Sequence, residues 1–135
     1  MKISALHHVS LVSTDIGRSS AFYSEMLGFK VIARPSFKIG GAWLASGPVE
    51  IHLIDNPQGT FRDSASIDTG DVHFALRVDD FEQTMSDLAA KGFRTDAAPS
   101  DPMRIHINRK SIAGYPQAYL LDPDRNIIEI NAAAL

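Results

Sequence analysis

The side chains in this sequence with the most chemistry to offer are His8, His52, His73 and Glu129. Neutral imidazoles and a carboxylate suit a divalent cation such as Zn, Ni, Mn, Co or Fe(II), and a site with three or four protein ligands keeps positions open for water or substrate. Cysteine is absent, so neither a thiolate site nor a disulfide framework competes with that reading. Glu129 is the most anomalous of the four. It interrupts the apolar run Ile127-Ile128-Glu129-Ile130, and a carboxylate aimed at a sheet face needs a partner because burying an unpaired charge is costly.

Strand alternation is what positions these groups. Asp122 to Asn126 are turn formers, and the β-branched run that follows predicts a strand on which Ile128 and Ile130 face one way and Ile127, Glu129 and Asn131 the other. An opening strand from Ala5 to Thr14 sets Val9 and Leu11 against His8, Ser10 and Val12. In Val49 to Asp55, Ile51 and Leu53 oppose Glu50 and His52, and after Gly70, Phe74 and Leu76 oppose His73, Ala75 and Arg77. Each candidate ligand thus falls on the face turned away from the helices, and if the sheets curl together the four converge on one cation. Glu50 shares the parity of His52 and is a candidate proton carrier, as is Glu129 itself. Arg77, Gln117 and Tyr119 are candidate substrate contacts by the same parity. His7 has the opposite parity and reads as packing or surface, His106 as surface, and Trp43 and Phe22 as packing.

Helix signals fall between these strands. Asp15 caps a segment from Ile16 to Leu27 that Gly28 stops, and Phe81 to Ala90 places Phe81, Met85 and Leu88 on one side before Gly92. Further strands are predicted over Lys30 to Pro35, Gly41 to Ala45, Arg94 to Thr95, Arg104 to Asn108 and Pro116 to Leu121. The second half repeats the first. His73 to Asp80 follows the hydrophobic phase of His8 to Asp15, and Lys91-Gly92-Phe93 echoes Leu27-Gly28-Phe29, a period of roughly 65 residues, too long for a solenoid. The predicted fold is α+β, two tandem βαβββ modules (residues 1–56 and 71–135, linker 57–70) forming a curved mixed-sheet cup with helices outside.

The chain of 135 residues, 44% hydrophobic, is sized for one globular domain with a substantial core. With 13 basic against 16 acidic residues and no Lys/Arg cluster, no nucleic-acid partner is expected. No signal peptide is apparent, and no apolar run approaches the roughly 20 residues that span a bilayer, so a cytoplasmic protein without membrane contact is expected.

The opening His8-Val9-Ser10-Leu11-Val12 with Asp15 and Phe22-Tyr23, the Leu27-Gly28-Phe29 helix end and the closing DPDRNIIEI resemble the vicinal oxygen chelate superfamily: glyoxalase I, extradiol dioxygenases, methylmalonyl-CoA epimerase and the fosfomycin- and bleomycin-resistance proteins. The resemblance covers nearly the whole chain. It implies metal ligands on the first and fourth strand of each module, at the positions of His8, His52, His73 and Glu129, and a homodimer. Arg34-Pro35-Ser36, Gly41-Ala42-Trp43-Leu44 and Ile51-His52-Leu53 look most like a glyoxalase-I-like subgroup, which implies lyase or isomerase chemistry on a small substrate with vicinal oxygens through an enediolate-like intermediate. Glyoxalase I usually carries a carboxylate or Gln where this chain has His52, whereas dioxygenases and fosfomycin enzymes use a His, His, Glu triad. The other branches imply an extradiol-type Fe(II) dioxygenase, a thiol transferase of the resistance type, or a metal-free drug-sequestering protein.

Overall fold

In the computed structural model residues 1–133 are described, and the chain separates into two compact units, one of residues 1–60 and one beginning at Phe61. The first holds β1 (Val9–Ser13), α1 (Ile16–Ala21), a π-helical turn (Phe22–Met26), β2 (Lys30–Ile32), β3 (Gly41–Ser46) and β4 (Val49–Asp55). Its sheet runs β1-β4-β3-β2, with β1 parallel to β4 and the other pairs antiparallel. The second holds β5 (His73–Arg77), α2 (Phe81–Ala90), β6 (His106–Asn108), β7 (Gln117–Leu121) and β8 (Ile127–Asn131), in the order β5-β8-β7-β6 with the same orientations. The fold is therefore α+β, one βαβββ unit written twice.

Local chemistry explains the shared design. In each unit an aspartate two or three residues past the first strand caps the helix: Asp15 accepts from the Arg18 amide and Asp80 from the Gln83 amide, both at 2.9 Å. Such a cap satisfies one of the amides that a helix start leaves without an intrahelical acceptor. Each helical segment then stops near a glycine in the left-handed region, Gly28 at φ 75° and Gly92 at φ 103°, a conformation that side chains with a Cβ disfavour.

The core of each unit lies on the sheet face that alternation assigned to it. In the first, Leu44, Ile51 and Leu53 are at most 1% exposed and α1 packs on β3 and β4. The buried hydroxyls of Ser13 and Ser19, 2.8 Å apart, tie α1 to β1. In the second, Phe81, Met85 and Leu88 of α2 are buried, as are Ala118, Leu120, Ile128 and Ile130 of the sheet. Burying one such large side chain stabilises by about 1.5–3 kcal/mol, so these faces hold the sheets while the opposite faces remain available for polar groups.

Several boundaries differ from the sequence reading. The opening strand begins only at Val9, so residues 5–8 are not bound by strand alternation. The single helix expected over Ile16 to Leu27 becomes π-helical at Phe22: the spacing of Phe22, Tyr23, Met26 and Leu27 is compatible with either winding, and Tyr23 is fully buried with its ring edge-on to Phe29. β2 ends at Ile32, three residues before Pro35. Arg94 and Thr95 form no strand, only an isolated bridge from Arg94 to Arg104. Residues 56–70 carry no strand or helix, and Arg62 braces that segment by bonding the Asp71 carboxylate at 2.8 Å.

Candidate metal centre

In the second unit the predicted residues meet. Paired residues of neighbouring strands share a sheet face, and the register sets Glu129 opposite Ala75 and Tyr119, with Gln117 and Arg77 opposite Asn131. Glu129, 5% exposed, is therefore buried among polar groups rather than in the core. Its Oε1 accepts from the side-chain amides of Gln117 at 3.1 Å and Asn131 at 2.8 Å, while its Oε2 lies 3.3 Å from His73 Nε2. Burial pushes the Glu129 carboxyl upward, but donors from Asn131, Gln117 and Tyr119, with His73 nearby, outweigh it and hold the group below its ordinary value. Tyr119 takes the opposite shift. Burial and the Glu129 charge push its hydroxyl up to about 12.

His73 is oriented from behind. Its Nδ1 lies 2.7 Å from the Asp71 backbone oxygen, which can only accept, so Nδ1 carries a proton and Nε2 is the nitrogen that faces Glu129 Oε2. Arg77, a predicted substrate contact, is instead engaged within the protein. Its Nε donates to Asn131 Oδ1 at 3.1 Å and its guanidinium lies 5.3 Å from the centre of the Tyr115 ring.

In the first unit His52 and His8 come together, and Trp43 joins them. The His52 imidazole is sandwiched, with its ring centre 4.0 Å from His8 at 14° and 4.1 Å from Trp43 at 7°. Trp43 therefore belongs to the site rather than to packing alone. The signal that finds it is register, since β3 sets Trp43 directly opposite His52. Glu50 Oε2 lies 3.1 Å from His52 Nε2, so the carboxylate engages that nitrogen and leaves Nδ1 as the other donor atom. His7, expected on the opposite parity, lies beside the site. Its Nδ1 is 2.9 Å from His8 Nδ1, because both residues precede the start of β1.

The two units place these groups at equivalent positions. His52 pairs across to Ser10, two residues after His8, and Glu129 pairs to Ala75, two residues after His73. Trp43 and Tyr119 are the matching neighbours from the adjacent strand. Among the described residues no group of three or more His, Asp or Glu side chains stands in cation-holding geometry.

Two βαβββ units with the same strand order, carrying imidazole and carboxylate groups at matched sheet positions, define the class of fold to which the chain belongs. The chain belongs to the Glyoxalase/Bleomycin resistance protein/Dioxygenase superfamily, whose family profile matches residues 5–130. It is 26% identical to the uncharacterized protein YwkD of Bacillus subtilis over 96% of this chain and 98% of that one. Its fold is similar to a bleomycin-binding protein solved with bleomycin, with a TM-score of 0.71 at 24% identity, covering 96% of this chain and 98% of that one. It is also similar to a lactoylglutathione lyase from Agrobacterium tumefaciens, with a TM-score of 0.68 at 20% identity, covering 98% of this chain and 96% of that one. At those identities the structural likenesses establish the fold and leave the activity to the site. Among the described residues no helix is long and apolar enough to cross a membrane.

Proposed function

We propose that the protein is a metal-dependent enzyme of the glyoxalase-I-like type, in which His8, His52, His73 and Glu129 supply the ligands of one divalent cation. The observation that carries this reading is the pair His73 Nε2 and Glu129 Oε2 at 3.3 Å. A charge-assisted N–H···O bond would close to about 2.7–2.9 Å, so this pair is too long for a good one. Two donors bound to one ion by bonds of about 2.0–2.1 Å lie roughly 2.9 Å apart at a right angle and roughly 3.4 Å apart at a tetrahedral angle, and the observed spacing falls between these. The Nδ1 bond to Asp71 fixes the tautomer such a ligand needs.

A divalent cation held there supplies Lewis-acid polarisation of two adjacent substrate oxygens. The remaining work belongs to the protein. Asn131 and Gln117 fix Glu129 by one oxygen and leave the other for ligation. Glu50, partly buried and 3.1 Å from His52 Nε2, is the carboxylate that would take a proton from one substrate carbon and return it to its neighbour. The substrate is a small molecule with vicinal oxygens, the reaction is of the lyase or isomerase class, and the working form is a homodimer.

The test is elemental analysis and activity together. The chelator-stripped protein is reloaded with Zn, Ni, Mn, Co or Fe(II), then assayed against hemithioacetals, catechols and an epoxide with thiol. One cation per chain with turnover of a hemithioacetal is expected. Failure to take up any cation sinks the reading, and catechol cleavage with oxygen uptake would replace it with the dioxygenase.

A further inference from the structure

The first unit contains a cavity of about 350 Å³ between the β2–β3 segment and the sheet, with His52 at one edge. Its walls include Phe37, Ile39, Trp43 and Ile54, and its charged groups are Arg34 and Lys38. We propose that this cavity takes the carboxylate end of a small substrate with a flat apolar body, Arg34 and Lys38 recognising the anion and Trp43 the body.

Charge complementarity carries the argument. Neither Arg34 nor Lys38 has a carboxylate partner among the described residues. The Arg34 guanidinium is held only by neutral groups: Nη2 donates to the Ile39 carbonyl at 2.7 Å, the guanidinium carbon lies 4.8 Å from the centre of the Phe37 ring, and Nε is buried without a hydrogen-bond partner. These contacts position the side chain and leave its charge uncompensated against an apolar wall, where screening is weak and an incoming anion gains most. Arginine suits a planar carboxylate in particular, because its fork of donors matches the two oxygens. The wall opposite is rigid and flat, since Trp43 is stacked on His52, which is itself backed by His8. The volume lies at the small end of the range of about 300–1,000 Å³ for small-molecule pockets.

As the substrate's own pocket this proposal rests on the cation reading of His52; as an anion pocket it does not, and the experiment separates the two. Trp43 is the single tryptophan, so its fluorescence reports on the cavity wall. Chelator-stripped full chain is titrated with phenylacetate and with its neutral isostere phenylacetamide. Phenylacetate is expected to give a saturable change and phenylacetamide to bind about tenfold more weakly, and Arg34→Gln or Lys38→Gln, by removing a charge-assisted bond, is expected to weaken phenylacetate about tenfold while leaving phenylacetamide unchanged. Lys38 is exposed, so its variant tests the charge even if Arg34→Gln fails to fold. Equal affinity for acid and amide, unchanged affinity in Lys38→Gln, or no saturable change overturns the proposal. Acid binding that appears only after cation loading also overturns it and leaves the cation reading standing, whereas acid binding in a chain that takes up no cation sustains the pocket alone.

Discussion

His52 and Glu129 hold the same register position in two sheets of identical strand order: His52 pairs with Ser10, two residues after His8, and Glu129 with Ala75, two residues after His73. One position carries an imidazole and the other a carboxylate, and their surroundings differ accordingly. His52 is stacked between two rings with Glu50 on its Nε2, while Glu129 is caged by amide donors with one oxygen turned to His73.

For the cation site proposed above, that asymmetry ranks the ligands. Glu129→Gln keeps the shape but removes the only anion of the set, and His73→Ala removes the nitrogen oriented by Asp71. Each is expected to lose bound cation on titration with Zn while far-UV circular dichroism stays unchanged, since Ile128 and Ile130 carry the packing from the other face. His52→Ala is expected to cost less, because its Nε2 already engages Glu50. A loss as large as that of His73→Ala would give His52 equal rank. In the parent, occupancy should fall on acidification, because a protonated imidazole nitrogen cannot ligate.

Asn131 links Arg77 to Glu129, accepting from the Arg77 Nε and donating to the Glu129 Oε1. Asn131→Leu should lower cation affinity by about 10–100-fold, the usual cost of removing a group that orients a ligand. Arg77→Leu should cost less, because it reaches Glu129 only through Asn131. Calorimetric cation titrations of the two variants would show the order, and a larger loss for Arg77→Leu would contradict it.

Tyr119 gives a pH signature. Its folded pKa is raised from 10.0 to about 12, chiefly by burial and then by the Glu129 charge. A group whose folded pKa lies above its unfolded value contributes stability below the unfolded value that is lost as pH rises through the folded one. Stability should therefore decline between about pH 10 and 12 more steeply in the parent than in Tyr119→Phe, and the absorbance titration of phenolate should lose a step near pH 12 in that variant. Identical titrations would contradict the assignment.

The Asp80 cap is a control away from the ligands. Asp80→Ala removes the acceptor of the Gln83 amide and should destabilise by about 1 kcal/mol, within the 0.5–2 kcal/mol range of such caps. Thermal unfolding would register it, with cation affinity unchanged because α2 packs on the core face.

Much of this was legible in the chain itself. Alternation set Glu129 against Ile128 and Ile130 because successive strand residues must point to opposite faces, and the repeated His, Asp and Gly-Phe positions exposed the duplication that the matching sheet orders display. α2 was legible because Phe81, Met85 and Leu88 recur at helical spacing between a cap and a glycine. Only the tertiary structure decided which atoms meet. Trp43 and His52 are apart in sequence, and the β3–β4 register alone stacks them. His7 escaped the parity argument because β1 starts after it, and the length of a strand is set by its neighbours' hydrogen bonds rather than by local composition. The Asp71 carbonyl that orients His73 is a backbone group, which no side-chain pattern announces. Arg77 had the parity of a substrate contact, and only the folded chain showed that its Nε donates to Asn131 and its guanidinium lies beside the Tyr115 ring.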